Sequence, residues 1–579
     1  MREYIYLWVH KYLELYKDSQ NTGHYLFENT GIRLSSKYNV KDSFDKNSNK
    51  LTIDIESNKP NHNYFSEHIN DIVAIVGNNG SGKSSILRLL KAILTDGEGS
   101  SADDIEYILF YTDGQGIDNK STLKNITLDK KNILNKNEIN DNYGIPYKSE
   151  PHKSDYVIFY SPFFNVSKGL FHGDYHGSSN ISTEHVIDSY SKKLHNPRAG
   201  EERFFDRLDS YSFYEQQIEL DFVGDFLENE DKLPMDLPTY MYIQSNSNTI
   251  ILLKKELKKI NNNSLLEIIE NWEKNTNLKD KIYLSVFACL YRALNSNSFN
   301  PFADRFNSIT ENPNIKIEDA INTITPGIVN ELEILINLIT KNSEQRQWNK
   351  RHLLFIKTKK EELKQIMNSH YDIKRKHSLI TPFLLFERQR LSTGEDNFIQ
   401  LFARFYHIWK DALIYKGQLE ANDIVFLIDE GEANFHPEWQ RIYLKTLIEW
   451  IELIMKKLEN EEKKKILKFQ ILLSTHSPFV ACDLPKTNLV CLKLEKKDDF
   501  KSVKIVDIST KENLGIGTRI IDLLKNDFFI DSTIGALATE RIEEMVEEIR
   551  RKKGYKNISD KSKFVFDNLG DQFIKSFFE

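Results

Sequence analysis

Two stretches of the chain gather residue types suited to phosphate chemistry. The first, Gly77-Asn78-Asn79-Gly80-Ser81-Gly82-Lys83-Ser84 with Ser85 after it, fits GxxxxGK[ST] in full. Its glycines let backbone N–H groups close around phosphate oxygens at a helix N-terminus. Lys83 is placed to reach the β- and γ-phosphates of ATP, and the Ser84 hydroxyl to bind Mg²⁺. A chance glycine-rich turn is the competing reading. It would require neither the apolar run Asp71–Val76 before it nor the helically spaced Lys83–Leu94 after it. The second stretch, Ile424–Glu430, ends an apolar strand on two carboxylates. Ligands bind at the C-terminal ends of strands in open α/β sheets, so Asp429 suits Mg²⁺ and Glu430 suits a general base for the attacking water. Alone, it reads equally as a buried strand ending in a solvated acidic turn.

The surrounding sequence must supply the elements that hold these groups. Residues 1–70 alternate apolar and polar positions, as in Tyr4–Val9 and Leu51–Ile55, and predict an antiparallel sheet. Polar stretches over 96–154 predict strands and loops at the surface, followed by a strand at Tyr156–Tyr160. Residues 165–215, rich in Ser, His and Gly, predict an irregular lid or linker. From about 250 to 376 the spacing is helical, as in Ile251–Ile260 and Leu332–Ile339. α/β alternation then returns, with buried strands at Ile424–Ile428 and Phe469–Ser474 and a helix at Trp439–Leu458. The chain ends in strands and a charged helix, Thr539–Lys553.

Composition bounds the function. With 579 residues, 40% of them hydrophobic and 28% charged, the chain reads as a globular protein too long for one core. Its net charge of −7 requires any nucleic-acid contact to come from a local basic patch. The segment Arg346–Lys376 offers one. It holds ten Lys/Arg against three acids, with Trp348 and Tyr371 in or beside the basic runs, and it reads equally as a solvated helix face. The apolar stretch Ile282–Leu294 is too short and interrupted to cross a bilayer, and Met1–His10 is no signal peptide, so a cytoplasmic protein without membrane contact is expected. Cys289, Cys482 and Cys491 lack metal or CxxC spacing and read as small buried hydrophobes. His172, Asp174 and His176 could ligate a metal from an extended segment, although such residues in a polar loop are more often solvated.

Three further stretches carry a family resemblance. Leu391-Ser392-Thr393-Gly394-Glu395 resembles the ABC signature in the LSxGE form of SMC-like, RecF-like and OLD-like ATPases, with Thr393 in place of the first usual glycine. A plain N-cap is its competing reading. Ser474-Thr475-His476-Ser477-Pro478 looks like the switch-histidine loop of the same group. Asp429–Gln440 resembles the DEGExxLHPxWQ form of the D-loop, with Phe435 where Leu is usual. Lys83 and Ser392 stand 309 positions apart, more than in transporter ATPases and without the long heptad arrays of SMC proteins. The chain thus resembles the OLD/RecF/SMC-like ATPases, and most of all the ATPase subunits of Septu and retron-type antiphage systems.

The resemblance implies an α/β fold. It would be an ABC-type P-loop NTPase core, a mixed sheet plus an antiparallel β subdomain, with a helical insertion. The implied segments are 1–165, 166–380, 381–490 and 491–579. The resemblance also implies that Ser392 and Gly394, with Glu395, meet the γ-phosphate held by another subunit, in a head-to-tail dimer or higher oligomer with composite sites. His476 would report that phosphate. A separate nuclease or other effector is the implied partner, since the Glu…Asp-x-Asp pattern of the Toprim nucleases does not follow His476. The alternatives are a RecF/SMC-like DNA-maintenance ATPase and a non-hydrolysing nucleotide-binding scaffold. The Asp429-Glu430 pair speaks against the scaffold. For the Q-loop glutamine, Gln216 and Gln217 are the candidates.

Overall fold

The computed structural model describes residues 3–17, 23–48, 50–58, 64–95, 106–112, 126–131, 139–141, 156–163, 178–183, 185–186, 215, 218–219, 222, 240–245, 247–275, 277–295, 303–342, 344–348, 351–357, 365–366, 369–370, 372–373, 376–377, 383–388, 391–410, 423–462, 468–497, 500–508, 514–524, 534–552, 554 and 557–570. Its first strands are β1 (Glu3–Lys17), β2 (Gly23–Arg33), β3 (Tyr38–Asp45), β4 (Lys50–Ser57), β5 (Ile69–Gly77), β6 (Glu106–Thr112), β7 (Ile126–Lys131) and β8 (Ile139–Asp141), with helix α1 (Lys83–Leu94) between β5 and β6. Next come β9 (Tyr156–Tyr160), β10 (Ser178–Asn180) and β11 (Tyr240–Ser245). Six helices follow: α2 (Ser247–Lys259), α3 (Asn263–Glu273), α4 (Leu278–Asn295), α5 (Ala303–Thr310), α6 (Ile317–Ile324) and α7 (Ile328–Asn342). After them lie β12 (Glu344–Trp348), β13 (Arg351–Lys357), β14 (Leu384–Arg388), α8 (Thr393–Lys410), β15 (Asp423–Asp429), α9 (Pro437–Glu462), β16 (Lys468–Thr475) and α10 (Pro478–Cys482). The chain ends with β17 (Leu489–Lys497), β18 (Phe500–Ile505), α11 (Ile520–Leu524), α12 (Ala536–Lys552) and α13 (Asp560–Asp567).

Two compact units result. The first comprises Met1–His152, Val425–Glu430 and Lys468–Glu579; the second comprises Lys153–Ile424 and Gly431–Leu467.

In the first unit, strands run in the order β15-β16-β5-β17-β18. β5 lies between β16 and β17 and is parallel to both, while β18 returns antiparallel to β17. Ile72–Val76 of β5 are fully buried, which is why this strand reads as an unbroken apolar run. The alternating N-terminal sequence forms the expected antiparallel layers. One has the order β2-β1-β6-β7, and β3 pairs antiparallel with β4 beside β8. Ile5, Trp8, Leu51, Ile53, Ile108 and Phe110 fill the core of these layers. Gln470 of β16 ties β1 to the parallel sheet. Its Nε2 donates to the carbonyls of Tyr4 and Leu34 at 2.7 and 2.9 Å, and its Oε1 accepts the Tyr4 N–H at 2.9 Å. At the C-terminal end, α12 and α13 pack through Met545, Ile549, Ile558 and Phe566.

In the second unit, helices α2–α7 share one apolar core, with Leu253, Ile282, Phe287, Leu332 and Ile339 almost wholly buried. This is the expected helical insertion, with one correction. The helical reading continued to 376, yet 344–357 is an antiparallel hairpin in a sheet ordered β12-β13-β11-β14. Asn349-Lys350 separates two short runs with aromatic residues, and Asn is a turn former. Pairing with β11, far earlier in sequence, supplied the decisive stabilisation and left no local signal. The basic segment is therefore not a single helix face. Most of the expected lid over 165–215 lies outside the described residues, as do His172, Asp174, His176, Gln216 and Gln217. Among the described residues no helix is long and apolar enough to cross a membrane, and no cluster of three His, Cys, Asp or Glu side chains could hold a metal ion. The three cysteines form no disulfide with one another; Cys289 and Cys491 are buried, whereas Cys482 is only partly so.

Candidate active site

Three segments of the first unit converge at the C-terminal edge of its parallel sheet: the turn after β5, the end of β15 and the end of β16. Register sets their heights. Thr475 lies opposite Val76 and Leu492 opposite Gly77, so the loops after β5 and β16 leave the sheet side by side.

The turn from β5 to α1 is shaped by its glycines. A Cβ on Gly77 would lie 2.6 Å from the Leu492 carbonyl oxygen and 2.6 Å from Ser81 Oγ, so the backbone there must be bare. Gly82 caps α1 with φ of 86°, a left-handed conformation that suits glycine. The Ser81 N–H donates to the Asn78 carbonyl at 3.1 Å and closes the loop, from which Asn79 and Gly80 project as exposed residues. Lys83 and Ser84 open α1, and Ser85 follows in the same turn. Lys83 is 4% exposed, and its Nζ donates to the carbonyls of Gly77 at 2.9 Å and Asn78 at 3.2 Å.

Asp429 ends β15 at 3% exposure. Its Oδ1 accepts the hydroxyls of Ser84 at 2.8 Å and Ser474 at 2.6 Å. Burial pushes its carboxyl above the usual range, opposed by those two hydroxyls and by the charge of Arg88 on α1. Glu430 turns away from the strand with φ of 51°, a left-handed conformation unusual for a side chain of this size. Its N–H is held at 3.1 Å by both the carbonyl and the hydroxyl oxygens of Ser474. Its Oε1 lies 3.2 Å from Nε2 of His476. Hydrogen bonding to His476, the imidazole's charge when protonated, and Lys83 hold its carboxyl below the usual range, against the effect of burial. The same Nε2 lies 2.8 Å from Lys83 Nζ. One ring nitrogen can accept from Lys83 or donate to Glu430 but cannot do both, so the contacts are alternatives chosen by tautomer and protonation.

The structure therefore brings together Lys83, Ser84, Asp429, Glu430 and His476. It adds Ser474 and Arg88, which the motif reading missed. Ser474 had a legible signal as the first polar residue after an apolar strand, two places before His476. Arg88 had none beyond its position one helical turn after Ser84.

Ser392, Gly394 and Glu395 belong to the second unit. Ser392 is exposed and caps α8 in a reciprocal capping box: its N–H donates to Glu395 Oε2 at 2.6 Å, and its Oγ accepts the Glu395 N–H at 3.3 Å. Gly394 is buried; a Cβ there would stand 2.9 Å from the Asn434 carbonyl oxygen. Asn434 itself has φ of 66°, and Asn397 Nδ2 donates to the Ala433 carbonyl at 3.2 Å. The glycine thus lets the start of α8 sit against the turn that follows Glu430 in sequence.

The first unit's residues fit a nucleotide phosphate and a divalent cation. Ser81 Oγ is buried without a hydrogen-bond partner inside the loop, at a helix N-terminus that attracts anions. The nearly buried Lys83 ammonium rests on backbone carbonyls, in the position from which it can turn to phosphate oxygens. Asp429 is a buried carboxylate bonded to neutral hydroxyls, a hard oxygen donor beside the Ser84 hydroxyl, as Mg²⁺ requires.

Comparison with known proteins agrees with this chemistry. No curated protein matches the chain. A family model described as an AAA ATPase domain matches residues 49–481, about three quarters of the chain, from just before β4 to just beyond His476. The chain belongs to this AAA ATPase domain family and is a P-loop ATPase.

Proposed function

We propose that Glu430 is the general base of ATP hydrolysis in this chain, with Lys83, Ser84, Asp429 and His476 completing the site. The observation that carries this reading is the placement of Glu430. It sits at the end of a buried strand, is turned out by a left-handed backbone, and is kept ionised by His476 and Lys83. An ionised carboxylate can accept a proton from water. Lys83 gives up its backbone carbonyls for β- and γ-phosphate oxygens. His476, released from Lys83, then has Nε2 available as a donor toward Glu430 or the terminal phosphate. Ser84 and Asp429 would hold Mg²⁺, which neutralises charge on the phosphates when bound. The test is steady-state ATPase assay of Glu430→Gln beside equilibrium nucleotide binding; wild-type turnover in this variant removes Glu430 from the role.

Beyond hydrolysis, the reading is of an ATPase that assembles head to tail and controls a separate effector, as in antiphage systems. The resemblance of Asp429–Gln440 and Leu391–Glu395 to those ATPases supports it. So does the exposed capping serine, Ser392, at the N-terminus of α8, where a phosphate from another subunit could be received. Cleavage of DNA by the purified chain with Mg²⁺ alone would refute the need for a separate nuclease.

A further inference from the structure

His476 meets two groups of opposite charge through one ring nitrogen. Lys83 Nζ lies 2.8 Å from its Nε2, and Glu430 Oε1 lies 3.2 Å from the same atom. Among the described residues the ring makes no other hydrogen bond or ion pair. The side chain is 36% exposed, so protons exchange between it and water.

The two contacts demand different states of that nitrogen. An ammonium only donates, so Nε2 must be bare to accept from Lys83. A carboxylate only accepts, so Nε2 must carry a proton to bond Glu430. The lysine contact is the shorter, and while it holds, the contact with Glu430 goes unfulfilled. No other charge is turned to the ring. The turn after β5 carries no charged residue before Lys83. Asp429 is turned to the hydroxyls of Ser84 and Ser474, and the charge of Arg88 acts on Asp429. The ring's own loop offers Ser474, Thr475 and Ser477, which do not titrate. In α10 the one titratable group is Cys482, whose thiol donates to the Phe479 carbonyl.

We propose that nucleotide binding draws a proton from solvent onto His476 Nε2, so that the affinity for ATP is linked to pH. This rests on the reading of Lys83 as a phosphate ligand. A phosphate that takes the ammonium removes the donor from Nε2. The nitrogen then faces the Glu430 carboxylate and a polyanion, and both favour the imidazolium. The balance is simple: buffer gives up H⁺, Nε2 gains it, and no bond of the nucleotide changes. When Lys83 returns to Nε2, the proton goes back to buffer. Glu430 is the competing acceptor. Hydrogen bonding to His476, with the charges of His476 and Lys83, holds its carboxyl below the usual range against burial. The proton therefore stays on the ring, and Glu430 stays ionised. The sign follows. The complex holds more protons than the free protein, so affinity falls as pH rises, by about tenfold per pH unit for one full proton. The fall spans the neutral range in which imidazoles change charge.

The experiment is isothermal titration of the full chain with Mg²⁺ and ATPγS at about pH 7.5, in HEPES and again in Tris, whose ionisation enthalpies differ. ATPγS resists hydrolysis and its terminal group is ionised at this pH, so the buffer-dependent heat reports protons bound by the protein. The wild type should take up about 0.5–1 proton per site. Its affinity should fall severalfold, and at most about tenfold, between roughly pH 7 and 8. His476→Gln and His476→Asn are uncharged at every pH; either one should bind ATPγS with no proton uptake and a flat pH profile. The proposal falls if the wild type binds with no uptake, if it releases protons, or if the His476 variants take up as many as the wild type. Each of these results leaves the P-loop reading standing, because binding itself is seen. Absence of ATPγS binding by the wild type would instead remove the reading of Lys83, and the proposal with it. Turnover of Glu430→Gln is measured apart from these heats, so the assignment of the base stands or falls separately.

Discussion

Nζ of Lys83 stands 2.8 Å from Nε2 of His476, and that nitrogen stands 3.2 Å from Oε1 of Glu430. Three groups with separate duties in the proposed hydrolysis are thus joined through one imidazole nitrogen. A phosphate that draws Lys83 away changes what this nitrogen can offer Glu430. The proposed base and the proposed phosphate-binding lysine share this contact before any ligand arrives.

Replacing Glu430 with Gln should leave ATP binding close to wild type and lower turnover by about 10²–10⁴-fold. Isothermal titration with ATP and a phosphate-release assay on the same preparation check the two halves. A parallel loss of binding would mean that the left-handed turn, rather than the base, had been damaged.

Ser84→Ala removes a hydroxyl that reaches Asp429 at 2.8 Å. The variant should bind ATP with much less dependence on Mg²⁺. Comparison of affinities in Mg²⁺ and in EDTA reads this directly; an undiminished Mg²⁺ effect excludes Ser84 as a ligand.

If Ser392 completes the site of another subunit, Lys83→Ala and Ser392→Arg chains should each be inactive alone and recover partial activity when mixed. Recovery follows because a head-to-tail pair of the two holds one intact composite site. Absence of recovery in demonstrated heterodimers would show that sites are not shared.

Glu395→Ala opens the capping box around Ser392 and should destabilise α8 by about 1 kcal/mol. The measurement is the thermal unfolding midpoint, with Glu395→Gln, which can still accept from the Ser392 N–H, expected to keep most of the wild-type stability.

Asp71, near the start of β5 and buried with Glu3 of β1, is pushed up to about 6, first by burial and then by the Glu3 charge, against hydrogen bonds from Ser36 and the charge of Lys37. A raised acid holds its proton longer in the native state. Its contribution is complete below about pH 4 and is lost as pH rises to about 6, on the order of 3 kcal/mol. Unfolding midpoints between pH 4 and 6 should show this decline in wild type, and Asp71→Asn should flatten it.

What the sequence disclosed follows from where the stabilising contacts lie. The turn Gly77–Ser84 was legible because its glycines answer local demands, the nearby Ser81 hydroxyl at Gly77 and positive φ at Gly80 and Gly82. Asp429 and Glu430 were legible only in company with Gly77–Ser84, since alone an apolar strand ending on two acids reads equally as a solvated turn. Ser474's bonds to both neighbours were less so, since they depend on the order of β15 and β16. The hairpin Glu344–Lys357 was misread because its charges obscured the period of two and its partner, β11, lies about a hundred residues earlier. The capping box at Ser392 bears out the N-cap reading of that pentapeptide, while its part as a phosphate-receiving signature stays a proposal.

The strand order of the first unit also dictates when the site can exist during synthesis. Lys83 must wait for His476, 393 residues later, and Ser84 for Asp429, 345 residues later. At ribosomal rates of 5–20 residues per second, Lys83 waits roughly 20–80 s for its partner to be made. Throughout that interval β5, apolar on both faces, has neither of its parallel neighbours, because β16 and β17 are the product of the last fifth of the chain. A nascent chain of this protein therefore displays a strand apolar on both faces until its last fifth is made. Its yield in a cell should depend on chaperones that cover residues 69–77 until translation is nearly complete.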